Sequence, residues 1–205
     1  MDTPHVVVLA QVHGNDVVVI RTEAEATTER RKADAVASQV RDVSVSVRVA
    51  DCVPLLIADS TTGAVAAVHA GWRGTAARVA PATLDAIRRE FGTRAEDLVV
   101  AIGPSIRRCC YEVGSDVVDA FAAARHERYL IDRWFVALPR RSGEEPPKLR
   151  LDVAGANRDQ LILAGVREEN IHDCALCTAM HLDVLTSYRA EREKAGRLFA
   201  VIARR

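Results

Sequence analysis

A chain of 205 residues, 49% hydrophobic and 27% charged, is long enough for one substantial domain or two small ones and apolar enough to build a real core. Its 28 basic and 28 acidic residues cancel to a formal net charge of zero, which argues against nucleic acid or an anionic membrane as the main partner but leaves room for a local cationic pocket. No apolar stretch approaches a membrane span, no basic flank with a signal-like core opens the chain, and five cysteines with an adjacent pair at Cys109 and Cys110 do not make a disulfide framework, so a reducing cytoplasm is the natural setting.

In chain order, short β-branched runs come first. HVVVLAQV (5–12), DVVVI (16–20), VSVSVRVA (43–50), VPLLIAD (53–59) and AVAAVHA (64–70) read as strands, with STTG (60–63) as a turn between the last two. From Thr75 to Glu90 the spacing becomes helical, with Leu84, Ile87 and Phe91 on one face and Gly92 as a stop. Pro81 inside that pattern predicts a kink or a late helix start. LVVAIG (98–103) is another buried strand. SDVVDAFAAAR (115–125) predicts a helix capped by Ser115, and DVAGANRDQLILAG (152–165) one capped by Asp152 and closed by Gly165. LPRRSGEEPPK (138–148) reads as an exposed loop and RLFAVIA (197–203) as a last strand. Strands and helices mix without strict alternation. The expectation is therefore an α+β layered fold rather than a doubly wound parallel sheet.

Three residues share a setting. His13 follows VLAQV, Cys52 lies between VSVRVA and VPLLIA, and His69 ends AVAAV, so each sits at the edge of an apolar strand. Strand ends are where a rigid scaffold brings distant side chains together. Two imidazoles and a thiolate form a zinc ligand set that leaves a fourth position for water or substrate. Taken singly, each has a plainer reading: Cys52 as core filler and either histidine as a satisfied hydrogen-bonding group.

The motifs QVHG (11–14), ADCVPLLIAD (50–59), HAGWRGTAARV (69–79), AIGPSIRRCCYEVG (101–114), LDVAGANRDQL (151–161), LCT (176–178) and SYR (187–189) occur in order. Together they resemble the multicopper polyphenol oxidase, or laccase-domain, family. Its members are described as zinc-dependent purine nucleoside phosphorylases with adenosine deaminase and methylthioadenosine phosphorylase activity, and a bacterial member is linked to peptidoglycan editing. The resemblance implies one such domain over 1–205, a sandwich of mixed sheets with helices outside, and purine nucleoside and phosphate as substrates. It implies that His13, Cys52 and His69 hold the metal. Arg73, four residues after His69, fits a phosphate-binding cation through its planar fork, or else a surface partner for a carboxylate, and the first reading is favoured. Gly71 and Gly74 would then let the backbone pass close to a bound substrate. In the family an Arg-containing segment precedes QVHG. Here QVHG begins at residue 11, so the expectation is that this Arg is missing.

Other residues carry two readings each. Cys110 and Tyr111 fit a pocket wall or a structural role, and Glu112 a proton shuttle or a structural role. Asn157 and Arg158 fit an anion site at a helix start or simple capping, and Trp72 fits packing before base stacking. Cys174, Cys177 and His181 suggest a second zinc site, but no fourth ligand is evident and they read as core. A two-His, one-Cys set also holds copper. A multicopper oxidase needs a histidine-rich trinuclear centre as well, and six histidines (5, 13, 69, 126, 172 and 181) do not supply one once His13 and His69 are assigned. Two non-phosphorylase readings stand beside the main one. Cys52 could be a nucleophile with His69 as base, or the chain could be a binding or regulatory module that has lost catalysis.

Overall fold

The computed structural model describes residues 5–137 and 148–204. The β-branched runs form β1 (His5–Val8), β2 (Val17–Ile20), β4 (Val43–Val49), β5 (Val53–Asp59) and β6 (Val65–Ala70), with β3 (Ala35–Ser38) between β2 and β4. Later come β7 (Leu98–Ile102), β8 (Glu112–Val113), β9 (Phe135–Ala137), β10 (Leu149–Leu151), β11 (Ile171–Asp173) and β12 (Leu198–Ala203). The helices are α1 (Trp72–Ala76), α2 (Val79–Phe91), α3 (Ser115–Ala123), α4 (Arg128–Trp134), α5 (Val153–Leu163) and α6 (Tyr188–Glu191).

The main sheet has six strands in the order β11-β7-β5-β6-β3-β2, and only its outermost pairs, β11 with β7 and β2 with β3, run parallel. A second sheet, β1-β4-β12, has three strands, and β8-β10-β9 forms a small third one. The fold is α+β, as the unalternating pattern predicts, and its mixed sheets with helices outside match what the family resemblance implies. β6 shows why the layers hold together. Ala66, Val68 and Ala70 face one core, with Val79, Leu84, Ile87 and Leu161 of the helices, while Val65 and Ala67 face the other, with Val43, Val45 and Val47 of β4. A strand covered on both sides has no polar face, so its sequence reads as one apolar run.

Helix boundaries follow local chemistry. The helical stretch starts at Trp72, three residues before the expected Thr75, and breaks at Arg78, whose φ of 60° is left-handed. α2 then restarts at Val79 and holds Pro81 in its first turn, where no intrahelical N–H is needed, which is the late start expected there. Gly92 closes it with φ 69°. Asp152 caps α5 by accepting from the Gly155 N–H, and Gly165 follows its end with φ 99°. Ser115 is not a cap: it is the first helical residue of α3, and Gly114 holds the cap position without a side-chain bond. The first expected strand is also shorter than its apolar run, ending at Val8 so that Gln11–Gly14 can leave the sheet. Residues 138–147 of the expected loop lie outside the described residues. Among the described residues no helix is long and apolar enough to cross a membrane.

Candidate metal centre

His69 is placed by register. It stands opposite Pro54 in the β5–β6 ladder, and Cys52, two residues before Pro54, continues the same face by strand alternation. That face looks towards the β1-β4-β12 sheet, so both side chains emerge at one open end of the sandwich. Asp51, with φ 88°, turns the chain into β5; one oxygen accepts from Thr178 at 2.6 Å and the other from the Arg189 N–H at 2.6 Å. His13 arrives from the other sheet. After β1, Gln11 imitates a strand partner of Arg48, donating to its carbonyl at 2.7 Å and accepting from its N–H at 2.9 Å. His13 itself is left-handed, with φ 63°. The ligand atoms of His13, Cys52 and His69 lie within 4.8 Å of one another.

Asp34 joins these pieces, and the sequence reading missed it. It is fully buried (0% exposed) one residue before β3. Its Oδ1 accepts from His69 Nδ1 at 2.8 Å and from the His13 N–H at 2.9 Å. Its Oδ2 accepts from the Gly14 N–H at 2.6 Å and the Val12 N–H at 3.2 Å. One carboxylate therefore orients the His69 ring and shapes the QVHG loop, leaving His69 Nε2 free to meet a ligand. Burial pushes the Asp34 carboxyl up, but the His69 bond and the Gly14 and His13 amides outweigh it and hold it below its ordinary range. Burial likewise opposes charge on His69, yet Asp34 and Cys52 raise it to about 9. The Cys52 thiol is pushed up by burial and brought down to about 7 by His13 and His69.

A metal fits this donor set. Two nitrogens and a sulfur converge, and the Asp34 carboxylate behind His69 fixes that imidazole. Gly71 makes the room. A Cβ there would stand 2.9 Å from Cys52 Sγ and 3.0 Å from His13 Cδ2. At Gly74 a Cβ would stand 2.9 Å from the Gly14 carbonyl. The two glycines thus clear space for the ligands and the QVHG backbone. Gly71 has φ −73°, so Gly71→Ala adds no backbone strain. It should weaken metal binding about tenfold or more through local overpacking while shifting the melting temperature little, as metal titration and calorimetry of the variant would show.

The three donors lie in a cleft of about 770 Å³. Arg48, Arg73, Arg189, Arg192 and Arg197 line it, with Tyr111 and Tyr188. Among the described residues, neither Arg48, Arg73 nor Arg192 has a carboxylate partner, and Arg48 Nε is buried without a hydrogen bond. Arg73 lies 4.2 Å over the Trp72 ring, so that indole supports a cation instead of offering an open face. The segment after SYR is helical: α6 and the turn behind it supply Tyr188, Arg189, Arg192 and Glu193 to the cleft. Burial, with the Cys52 charge nearby, pushes the Tyr111 hydroxyl above its ordinary range and keeps it protonated.

Other candidates lie elsewhere. Glu112 is paired with Lys148 at 2.9 Å and is not among the cleft residues, which removes it as a proton shuttle. Asn157 is buried in α5, donating to Thr75 Oγ1 and the Val153 carbonyl, and Arg158 pairs with Glu168, so both are structural. Of Cys174, Cys177 and His181, only Cys177 is core; the other two are exposed.

Residues 1–205 match the family described as multi-copper polyphenol oxidoreductase laccase. The chain is 37% identical over 171 residues to a purine nucleoside phosphorylase of Bacteroides thetaiotaomicron, covering 82% of itself and 60% of that protein. It is 34% identical to adenosine deaminase RL5 of an unknown prokaryotic organism, covering 100% of itself and 77% of that relative. The crystal structure of the hypothetical protein YfiH of Bacillus licheniformis superposes with a TM-score of 0.88 at 28% identity, over 100% of this chain and 76% of that one.

Proposed function

The chain belongs to the multi-copper polyphenol oxidoreductase laccase family, and from that premise we propose that it is a cytoplasmic, zinc-dependent purine nucleoside phosphorylase with adenosine deaminase activity at the same site. Residues 1–205 act as one domain in this reading, on adenosine, inosine, guanosine and methylthioadenosine. The observation that carries it is a donor set of His13, Cys52 and His69 lining a cleft together with Arg48, Arg73 and Arg192, which have no carboxylate partner among the described residues. The names of the phosphorylase and deaminase relatives support the same chemistry. The donors also suit copper. Among the described residues, however, the only other cluster of potential ligands is made of thiols, so no histidine-rich trinuclear centre accompanies it.

In phosphorolysis a phosphate oxygen bonds to C1′ of the sugar as the C1′–N9 bond breaks. The bonding pair leaves with the purine, which takes up a proton. Zinc, when bound, supplies Lewis-acid polarisation. Arg73, with Arg48 and Arg192, neutralises the phosphate and holds it near the sugar carbon, where positioned cations act on the charge that moves in the transition state. With zinc bound, Asp34 would accept the Nδ1–H of His69, which would leave Nε2 as the donor to the metal. Arg73→Ala should raise the KM for phosphate about tenfold to a hundredfold and the KM for adenosine much less, matching the loss of charged hydrogen bonds.

The experiment is metal analysis of the purified protein together with adenosine turnover with and without phosphate. Near-stoichiometric zinc and phosphate-dependent adenine release support the phosphorylase, and zinc-dependent inosine production supports the deaminase. Zinc with neither product overturns the enzyme reading in favour of a binding module. A second reading has its own observation. Asp34, His69 and a Cys52 thiol brought down to about 7 are arranged like a Cys–His–Asp nucleophilic site. One zinc per chain with Cys52 inert to alkylation would sink that reading.

A further inference from the structure

Cys109, Cys110 and Cys177 place their sulfurs within 4.8 Å of one another, 67 residues or more apart along the chain for Cys177. All are free thiols. We propose that these three cysteines form a second metal site, distinct from the His13–Cys52–His69 centre, that takes a thiophilic d10 cation such as zinc or monovalent copper as a thiolate complex.

Three sulfurs bound to one ion at about 2.3 Å stand about 4 Å from one another, so closure requires only a sub-ångström contraction. The thiol protons leave to solvent as the metal–sulfur bonds form, and no oxidant is needed. Both strands of chain that carry the sulfurs are already anchored. The turn before Cys110 is closed by its N–H to the Arg107 carbonyl at 2.8 Å. Ser105 and Thr178 hold the two segments together, with the Thr178 N–H on the Ser105 carbonyl at 3.0 Å. Arg107 spans the gap, donating to Asp173 Oδ2 at 2.7 Å and to the Leu176 carbonyl at 3.3 Å. Soft thiolates select d10 cations over magnesium or calcium.

The site would also act as a clamp on the cleft. Tyr111, next to Cys110, lines the cleft wall, and Thr178, next to Cys177, donates to Asp51 beside Cys52. A metal joining the two segments would fix both supports at once.

The test uses the full chain carrying Cys52→Ala, which removes the thiolate of the first site, titrated anaerobically with cadmium as the spectroscopic probe. The expected result is one equivalent bound per chain with a sulfur-to-metal charge-transfer band. Cys109, Cys110 and Cys177 should be protected from alkylation, and exposed Cys174 should remain reactive as the internal control. Cys109→Ser and Cys110→Ser in the same background should each weaken binding at least tenfold, and their combination should abolish it. These residues are less buried than Cys177, so the result does not depend on the folding of a Cys177 variant. Elemental analysis of the protein isolated from cells then separates zinc from copper. The proposal is overturned if Cys52→Ala binds no cadmium, if binding survives the double serine variant, or if two of the three thiols are isolated as a disulfide that excludes metal.

Discussion

Cys52→Ala is expected to leave a folded protein that has lost the cleft metal and at least about a thousandfold of its phosphate-dependent adenine release. A metal that polarises a reacting group contributes several kcal/mol to the transition state, and about 4 kcal/mol corresponds to three powers of ten. The side chain is small and lies one residue before β5, so its removal takes a donor without opening the core between the sheets. Removing His69 is a different experiment, because that ring is the buried partner of Asp34 and its loss strands a carboxylate. Metal content measured beside turnover decides the outcome. Full activity in a Cys52→Ala protein that holds one metal equivalent fewer than wild type would remove the cleft metal from the mechanism, and undiminished metal content would remove Cys52 from the ligand set.

Asp34→Asn is expected to reach further than its distance from substrate suggests. Asparagine keeps the shape of the side chain but replaces one oxygen with a donor. That donor must face either the amides of Val12 and Gly14 or the side that binds the His13 N–H and His69 Nδ1. The buried donors cannot all be satisfied, at a cost of about 3–5 kcal/mol for a broken buried charge pair. Metal affinity should fall about 10–100-fold through the freed His69 ring.

The pH dependence carries the sign of both partners in the metal-free protein. Asp34 has a depressed pKa, so its contribution is complete above the unfolded value of about 3.9 and is lost as pH falls through the lower folded value. His69 has a raised pKa, so its contribution is complete below about 6.5 and is lost as pH rises through about 9. Denaturant unfolding of wild type and Asp34→Asn should therefore differ most between about pH 4 and 6.5 and converge on either side. A difference that does not vary from pH 3 to pH 10 would show that the pair carries no linked proton.

Much of the architecture was legible because the apolar periodicity is strong where burial is strong. β6 reads as a strand from its continuous apolar run, and Asp152 and Gly92 announce helix ends through local chemistry that needs no distant partner. β3 did not show itself. Ala35–Ser38 is built from alanine, valine and serine buried on both faces, so it has neither alternation nor strong strand preference to mark it. Missing β3 meant missing Asp34, since an acidic residue before an unmarked strand looks like any surface carboxylate. The reading of Cys174, Cys177 and His181 as core failed for two of the three, because Cys174 and His181 are exposed. Nearness in sequence grouped them, while the fold pairs Cys177 with Cys109 and Cys110 across the bridge between Ser105 and Cys177.

By itself the sequence determined which donors exist and that Cys52 and His69 sit at strand ends, because donor chemistry and apolar periodicity are written locally in side chains; His13 lies instead in a loop beyond β1. Only the tertiary structure decided that one buried carboxylate would hold both the His69 ring and the His13 loop, that glycines at 71 and 74 would clear room for them, and that five arginines would face one cleft. Those facts depend on strand order and register. A residue 35 positions away becomes a hydrogen-bond partner only when antiparallel pairing brings β3 beside β6.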